Sequence, residues 1–169
     1  MNLVENEQKF LQFYDQNITK IYRYIYFRVG SQEVAQDLAS EAFLKAWQYL
    51  KDGNSIGNLS AMIYQICRNL ISDYFRKNPN LPIPLDDVAE SHISESQTGM
   101  EEKTEKNLKL DQIMVCLRLI REEYQEIIIW YYVDDFEVNE IAQILGKSEG
   151  AVRVSLSRAL KALKEVLEG

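Results

Sequence analysis

The sequence contains few of the residues that build metal centres, disulfide frameworks or catalytic triads. Two cysteines, Cys67 and Cys116, and one histidine, His92, occur among its 169 residues. Both cysteines lie in helical apolar patterns and the histidine lies in a polar stretch, so no metal-ligand spacing or His-based triad is present. We therefore expect no metal, no cofactor and no catalytic residue, and we expect both cysteines to be reduced core residues.

Long apolar segments are also missing. No apolar run approaches the ~20 residues needed to span a membrane, and the N-terminal segment MNLVENEQKF lacks the apolar core of a signal peptide. A cytoplasmic protein without membrane insertion is expected. Because no Gly-rich phosphate loop or nucleophile motif occurs either, an enzyme is the least supported class.

The net charge of −7 is unfavourable for a general nucleic-acid binder, but the charge is unevenly distributed. Residues 1–77 carry 9 Lys/Arg and 8 Asp/Glu, residues 78–107 carry 2 and 7, and residues 108–169 carry 8 and 11. The acidity is thus concentrated in the middle of the chain. Since few phosphates can be neutralised, we expect weak affinity for DNA alone and a larger partner that holds the protein on DNA.

Apolar periodicity predicts helices over about 8–29, 32–50 and 59–77, and again from residue 108 onwards. Three amphipathic helices can bury one another's apolar faces, which predicts a small bundle over 1–77. Residues 78–107 hold all three prolines and many acidic residues, which is typical of a flexible linker. The predicted fold is all-α: an N-terminal three- to four-helix bundle and a C-terminal helix-turn-helix domain (108–169), joined by a flexible acidic linker.

The stretch FEVNEIAQILGKSEGAVRVSLSRALKAL (136–163) has the pattern of a helix-turn-helix. Gly146 can adopt the left-handed conformation after the first helix, and Ser148 can cap the second. The second helix is predicted to direct five apolar side chains inward: Val152, Leu156, Ala159, Leu160 and Leu163. Its opposite face is rich in Arg, Ser and Lys, which suits a DNA major groove; an αα-hairpin with a solvated basic face is the alternative.

Three segments in this order resemble one protein family: DLASEAFLKAW (37–47), IYQICRNLISDYFRK (63–77) and VNEIAQILGKSEGAVRVSLSRA (138–159). They are similar to bacterial RNA polymerase sigma factors of the extracytoplasmic-function type. The resemblance implies a transcription initiation factor, not an enzyme, with sigma region 2 in 1–77 and region 4 in 108–169. It also implies three partners: core RNA polymerase (beta-prime clamp and beta flap), promoter DNA and an anti-sigma factor.

The resemblance assigns a polymerase-docking surface to the second helix. Its residues are Asp37, Leu38, Glu41, Phe43, Leu44 and Trp47. Acidic residues beside apolar anchors suit an Arg-rich partner helix, because the apolar groups supply burial and the charges supply register. The alternative places Phe43 and Trp47 in the core and leaves Asp37 and Glu41 solvated; we favour the core for Trp47 and partner contact for the two acids.

The resemblance assigns DNA contacts to two helices. On the third helix, the −10 element candidates are Tyr64, Arg68, Asn69, Arg76 and Lys77. Asn69 offers a donor and an acceptor for a base edge, whereas Tyr64 is as consistent with the core as with DNA. In the C-terminal domain, the −35 element candidates are Lys147, Ser148, Arg153, Val154, Ser157 and Arg158. Val154 and Ser155 stand where the family often has Ser and Arg, so fewer charged contacts are expected.

A stand-alone helix-turn-helix regulator that dimerises on a palindrome is the rival interpretation. It accounts for residues 108–169. It leaves the N-terminal bundle and its acidic, apolar second helix without a role, which is why the sigma factor is preferred.

Overall fold

The structure, a computed structural model, describes residues 3–54, 57–79 and 112–169, and the regular elements among them are helices joined by short turns. Its elements follow in this order: α1 (Leu3–Val29), α2 (Gln32–Lys51), α3 (Leu59–Lys77), α4 (residues 112–117), α5 (Glu122–Ile128) with a π-helical turn (Ile129–Val133), α6 (Val138–Leu145) and α7 (Glu149–Glu168). The described residues contain no strand, and the all-α fold with two helical domains is confirmed. Within this part of the chain, no helix is long and apolar enough to cross a membrane.

The N-terminal domain is formed by α1, α2 and α3. Gly30, with φ +75°, ends α1, and the Ser31 hydroxyl accepts a hydrogen bond from the Val34 amide at 3.3 Å to begin α2. Asn58 caps α3 in the same way, at 3.1 Å from the Ala61 amide. The buried side of α2 consists mainly of small residues, which allow close helix packing: Ala35, Ala39, Ala42 and Ala46.

In the C-terminal domain α5 packs against α7, and the buried side chains of this domain join those of the N-terminal domain in one apolar core. Its buried side chains include Met114, Leu117, Ile127, Leu156 and Leu163. Of the predicted linker, only Asn78 and Pro79 lie within the described residues, and residues 108–111 of the predicted C-terminal domain also lie outside them.

The helix-turn-helix is formed by α6 and α7. Gly146 has φ +64°, as expected for the residue after α6, and the Ser148 hydroxyl accepts a hydrogen bond from the Ala151 amide at 3.1 Å. Glu140 stabilises the other end of α6, because its carboxylate accepts a hydrogen bond from the Glu137 amide at 3.1 Å. One inward prediction was wrong: Leu160 is 38% exposed, because it lies at the edge of the helix face that buries Leu156, Ala159 and Leu163.

The two domains pack against each other. Helix α1 contacts α5 and its π-helical turn, and α3 contacts α6. Side chains of α3 also reach α5 and the π-helical turn, through Arg68 with Glu126 and Tyr64 with Trp130. Three fully buried aromatic rings meet there: Tyr24 stacks on Trp130 with 5.4 Å between ring centroids, and Tyr64 meets Trp130 edge-on at 5.8 Å. The sequence patterns did not predict this interdomain interface.

Candidate nucleic-acid and polymerase interfaces

The second helix of the helix-turn-helix presents an exposed face that is mostly polar but includes Val154. All six predicted −35 residues are exposed on the turn or along the first turns of α7: Lys147, Ser148, Arg153, Val154, Ser157 and Arg158. Arg153 lies 3.7 Å from Glu149, an exposed ion pair of small energetic value that a DNA contact can replace. The guanidinium groups can reach base edges or phosphates, while the 49% exposed Val154 can only make apolar contacts, such as with a thymine methyl group.

The predicted −10 residues on α3 fall into two groups. Asn69, Arg76 and Lys77 are exposed, and Arg76 forms an ion pair with the neighbouring Asp73. Tyr64 is 0% exposed and lies in the interdomain interface. Of the two roles that the sequence allowed, the structure therefore places Tyr64 in the core. Arg68 is half-buried because it pairs with a carboxylate of the C-terminal domain.

That carboxylate belongs to Glu126, a residue that the sequence patterns did not single out. Glu126 is 3% exposed, and its Oε2 atom accepts hydrogen bonds from Arg68 Nε at 2.9 Å and from the Tyr24 hydroxyl at 3.1 Å. Arg28 Nη1 lies 3.7 Å from the same oxygen. We call Glu126, Tyr24, Arg28 and Arg68 the interdomain ion cluster. The acid comes from α5 and its three partners come from α1 and α3.

Burial raises the pKa of several side chains in and around this cluster. Desolvation raises the pKa of Tyr24 well above its usual value, and the negative charge of Glu126 raises it further. Desolvation likewise raises the pKa of the Tyr64 hydroxyl and of the Cys67 thiol. All three groups are therefore neutral at physiological pH, and Cys67 is an unreactive core thiol, as expected. Residues 3–54, 57–79 and 112–169 include no cluster of three or more His, Cys, Asp or Glu that could hold a metal ion.

The predicted docking surface on α2 is only partly exposed. Asp37, Glu41 and Leu44 face solvent, with Leu44 55% exposed. Leu38 and Trp47 are half-buried, and the Trp47 ring packs on Phe10 with 5.3 Å between centroids. Tyr49, which the sequence patterns did not identify, adds a second exposed apolar side chain to this helix.

Phe43 lies in the core of the N-terminal domain. It is 4% exposed, and its ring meets those of Tyr14 at 4.8 Å and Phe10 at 6.2 Å. The structure therefore places Phe43 beneath the α2 surface, where it supports the surface residues without being accessible to a partner.

Comparison with known proteins places both domains in one family. Residues 13–79 match Sigma-70 region 2, and residues 110–163 match Sigma-70, region 4. The chain is 30% identical, over 99% of its length, to the ECF RNA polymerase sigma factor BldN of Streptomyces coelicolor, and it spans 65% of that protein. It is 26% identical to the ECF RNA polymerase sigma factor SigW of Bacillus subtilis, over 88% of this chain and 83% of SigW.

The fold is shared with a solved sigma factor. The structure of the sigma factor RpoE in complex with the anti-sigma factor NepR from Bartonella quintana matches 95% of this chain and 98% of the matched chain. The TM-score is 0.68 at 20% sequence identity. The order of the two regions and the helix-turn-helix define a sigma factor of the Sigma-70 class. This chain belongs to the extracytoplasmic-function (ECF) sigma factors, as the three sequence segments predicted.

Proposed function

We propose that the chain directs core RNA polymerase to specific promoters. Residues 1–77 bind the beta-prime clamp through α2 and hold the −10 element, and residues 108–169 bind the −35 element and the beta flap. The observation that carries this proposal is the presence of two different surfaces on one chain. The helix-turn-helix presents an exposed Arg/Ser face suited to DNA, and α2 presents exposed acids beside exposed apolar side chains suited to a protein.

The chain's own chemistry is limited to binding and base extraction. RNA synthesis belongs to the polymerase, and the sigma factor acts with it in the cytoplasm. Opening a promoter requires a base to leave the stack, a pocket that bonds its edge and cations along the backbone. Asn69 is suited to the base edge, and Arg76 and Lys77 are suited to the phosphates, because all three are exposed in the C-terminal half of α3.

An anti-sigma factor is proposed as the regulatory partner. The structural relative RpoE was solved in complex with the anti-sigma factor NepR. A partner of this kind would cover one or both of the surfaces described above and keep the sigma factor from the polymerase.

Run-off transcription tests the proposed function. Purified protein should bind double-stranded promoter fragments weakly when alone, because its net charge of −7 opposes phosphate contact. Together with core polymerase it should select fragments from a genomic library and initiate transcription on them. Tight, sequence-specific binding by the protein alone as a dimer, with no transcription alongside core polymerase, would support the stand-alone regulator instead.

A further inference from the structure

The C-terminal domain covers part of the proposed −10 surface. Tyr64 meets the ring of Phe136 at 5.3 Å and that of Trp130 at 5.8 Å, both in perpendicular contacts. A nucleic-acid base needs an accessible ring face on which to stack. Since Tyr64 is fully buried between these two rings, it cannot contact DNA while the two domains remain packed together.

Arg68 is occupied by an acidic residue of the other domain. Its Nε atom donates to Glu126 Oε2 at 2.9 Å, and that oxygen also accepts from the Tyr24 hydroxyl. A carboxylate and a phosphate present the same kind of oxygen acceptor to a guanidinium group. Glu126 therefore occupies the position on Arg68 that a DNA phosphate would take.

Further contacts between the domains lie on both sides of the ion cluster. Arg23 of α1 forms an ion pair with Asp134 at 2.7 Å, and the Lys20 ammonium lies 5.8 Å from the centre of the Phe136 ring. Gln65 of α3 donates to the main-chain carbonyl of Ile144 at 3.1 Å. These contacts fix the orientation of the helix-turn-helix relative to α3.

The edge of the interface is polar and accessible. The amide of Asn58, at the start of α3, donates to the side-chain carbonyl of Gln143 on α6, and both residues are exposed. This pair is therefore a position at which the two domains can be joined chemically without disturbing the core.

We infer that this packed arrangement is an autoinhibited state of the free sigma factor, in which the C-terminal domain masks Tyr64 and Glu126 competes with DNA for Arg68. The inference rests on the proposed function, because it assigns α3 to the −10 element. Binding to the promoter requires the two domains to separate. On separation Arg68 exchanges Glu126 for a phosphate and the Tyr64 ring becomes accessible.

The interface has the composition expected of a reversible contact. Alongside its aromatic rings it buries charged groups, which lose hydration on closure and regain it on opening. Among the described residues, no hydrogen-bond partner is found for the Tyr64 hydroxyl or for Trp130 Nε1, and unpaired buried polar groups oppose closure. Separation therefore restores water to groups that the packed arrangement leaves incompletely paired.

A crosslink between the domains tests the inference directly. Asn58→Cys and Gln143→Cys are combined in a Cys116→Ser background and joined with a short bis-maleimide, since the remaining Cys67 is buried. The readouts are fluorescence anisotropy with short single-stranded DNA of random sequence, and transcription with core polymerase from fragments selected by the unmodified holoenzyme. Each single-cysteine variant treated with the same reagent is the control for loss of the Asn58 cap and for the modification itself.

The crosslinked protein should lose both DNA binding and transcription, whereas the untreated double variant and the two controls should keep them. Crosslinked protein that binds and transcribes as well as the untreated protein would overturn the inference. The proposed function is judged separately by the untreated protein. If that protein does not transcribe with core polymerase, the proposed function fails, while the DNA-binding comparison still decides whether packing of the domains masks α3.

A single substitution provides a second test without a crosslink. Glu126→Gln keeps the shape of the side chain but removes the charge that holds Arg68 and Arg28. The matched control is Glu123→Gln on the same helix, which is exposed and, among the described residues, forms its ion pair within the C-terminal domain, with Arg121. Small-angle X-ray scattering reports domain separation, and anisotropy reports binding of the same single-stranded DNA.

Glu126→Gln should increase the radius of gyration and tighten binding to single-stranded DNA by about tenfold, because a larger fraction of the chain has α3 accessible. Glu123→Gln should change neither. Circular dichroism of both variants verifies that they remain folded. If Glu126→Gln keeps its helix content but shows no increase in radius of gyration, or no change in affinity for single-stranded DNA, then Glu126 does not restrain the domains.

Discussion

Arg23 and Asp134 are separated by 111 positions in the sequence, yet Arg23 Nη2 donates to Asp134 Oδ1 at 2.7 Å. Asp134 follows the π-helical turn, and its side chain is fully buried, whereas Arg23 projects from the middle of α1 and is partly exposed. The pair thus connects the two domains at a buried position. Its energetic balance depends on whether the attraction of Arg23 exceeds the cost of removing the carboxylate from water.

Asp134→Asn is expected to change how stability depends on pH. Desolvation raises the pKa of Asp134 above its ordinary value, although the hydrogen bond and charge of Arg23 and the charge of Lys20 lower it. The neighbouring Asp135 raises it slightly further. Because the native state holds the proton more tightly than the unfolded chain does, the contribution of Asp134 to the free energy of unfolding decreases as pH rises from about 3.9 through the native pKa. It is constant above that range.

The measurement is urea unfolding of the wild type and the variant across a pH series that begins near pH 4. The wild type should lose stability relative to Asp134→Asn as the pH rises, and the difference should then level off. Asp135→Asn, at the exposed neighbouring position, is the control and should show a much weaker trend. A wild-type advantage that grows with pH would mean that Arg23 lowers the pKa of Asp134 overall.

Gly30→Ala is expected to destabilise the protein more than Gly146→Ala. Both glycines have positive φ, so alanine costs about 1–2 kcal/mol of backbone strain at either position. A methyl group at Gly30 would also lie 2.5 Å from the guanidinium of Arg118, whereas nothing lies within 4 Å at Gly146. The excess cost is the displacement of the Arg118 guanidinium, and it should be small because the guanidinium is the flexible end of a long side chain.

Chemical denaturation of five proteins checks this: the wild type, Gly30→Ala, Gly146→Ala, Arg118→Ala, and Gly30→Ala with Arg118→Ala. Removing the Arg118 side chain from both the wild type and the Gly30→Ala protein should cancel the excess cost. Equal destabilisation by the two alanine substitutions would show that Arg118 moves aside freely.

Asp37→Arg combined with Glu41→Arg should weaken binding to core polymerase by at least about tenfold. The reason is that the introduced positive charges would repel the Arg-rich partner helix expected to face α2. Both side chains are exposed on α2, so helix content and thermal stability should be retained. Glu5→Arg with Glu7→Arg makes the same change of charge at two exposed positions of α1, outside the predicted docking residues, and is the control. Competition for core polymerase against a labelled wild-type protein measures the effect. If the two double variants bind core polymerase with equal affinity, the α2 surface is not the docking site for the polymerase.

Arg153→Ala should reduce selectivity for the −35 element by about 1–3 kcal/mol if the guanidinium makes a bidentate base contact. The comparison is holoenzyme binding to a selected promoter and to the same promoter with a scrambled upstream element. Lys164→Ala, further along α7 and paired with Glu168 at 4.0 Å, is the control and should leave selectivity unchanged. An equal loss on both DNA fragments would make Arg153 a phosphate contact.

Local structure was predictable wherever one pattern determines it. Helix α3 has the predicted bounds, α2 extends one residue beyond its prediction, and Gly146 and Ser148 end and begin helices as their chemistry requires. Helix α1 begins at Leu3 instead of residue 8, because its first turns carry too few apolar residues to produce a periodic signal. The predicted −35 residues were also accessible, since a polar helix face opposite an apolar one is a property of the sequence alone.

The interdomain interface was not predictable in the same way. Apolar periodicity identifies one buried face for each helix, but the second half of α1 is buried on several sides, including Tyr24 and Arg28. Glu126 was unpredictable for a similar reason. Whether a charged residue beside isoleucines is buried depends on its ion-pair and hydrogen-bond partners, and those of Glu126, Arg68 and Tyr24, lie 58 and 102 positions away in the sequence. The docking and DNA assignments stay predictions, because they concern partners that lie outside the chain.

The position of Glu126 has a thermodynamic consequence for the holoenzyme. Its carboxylate interacts with α1 and α3, and no contact with α2 is found among the described residues. Under the proposed assignments, the polymerase on α2 and the −10 DNA on α3 would bind separate faces of the same domain. If both ligands favour the chain with its domains apart, linkage requires each to strengthen the other by the same factor. Removing the charge of Glu126 would then reduce the coupling between polymerase binding and DNA binding. The variant sigma factor would bind single-stranded chromosomal DNA even without core polymerase.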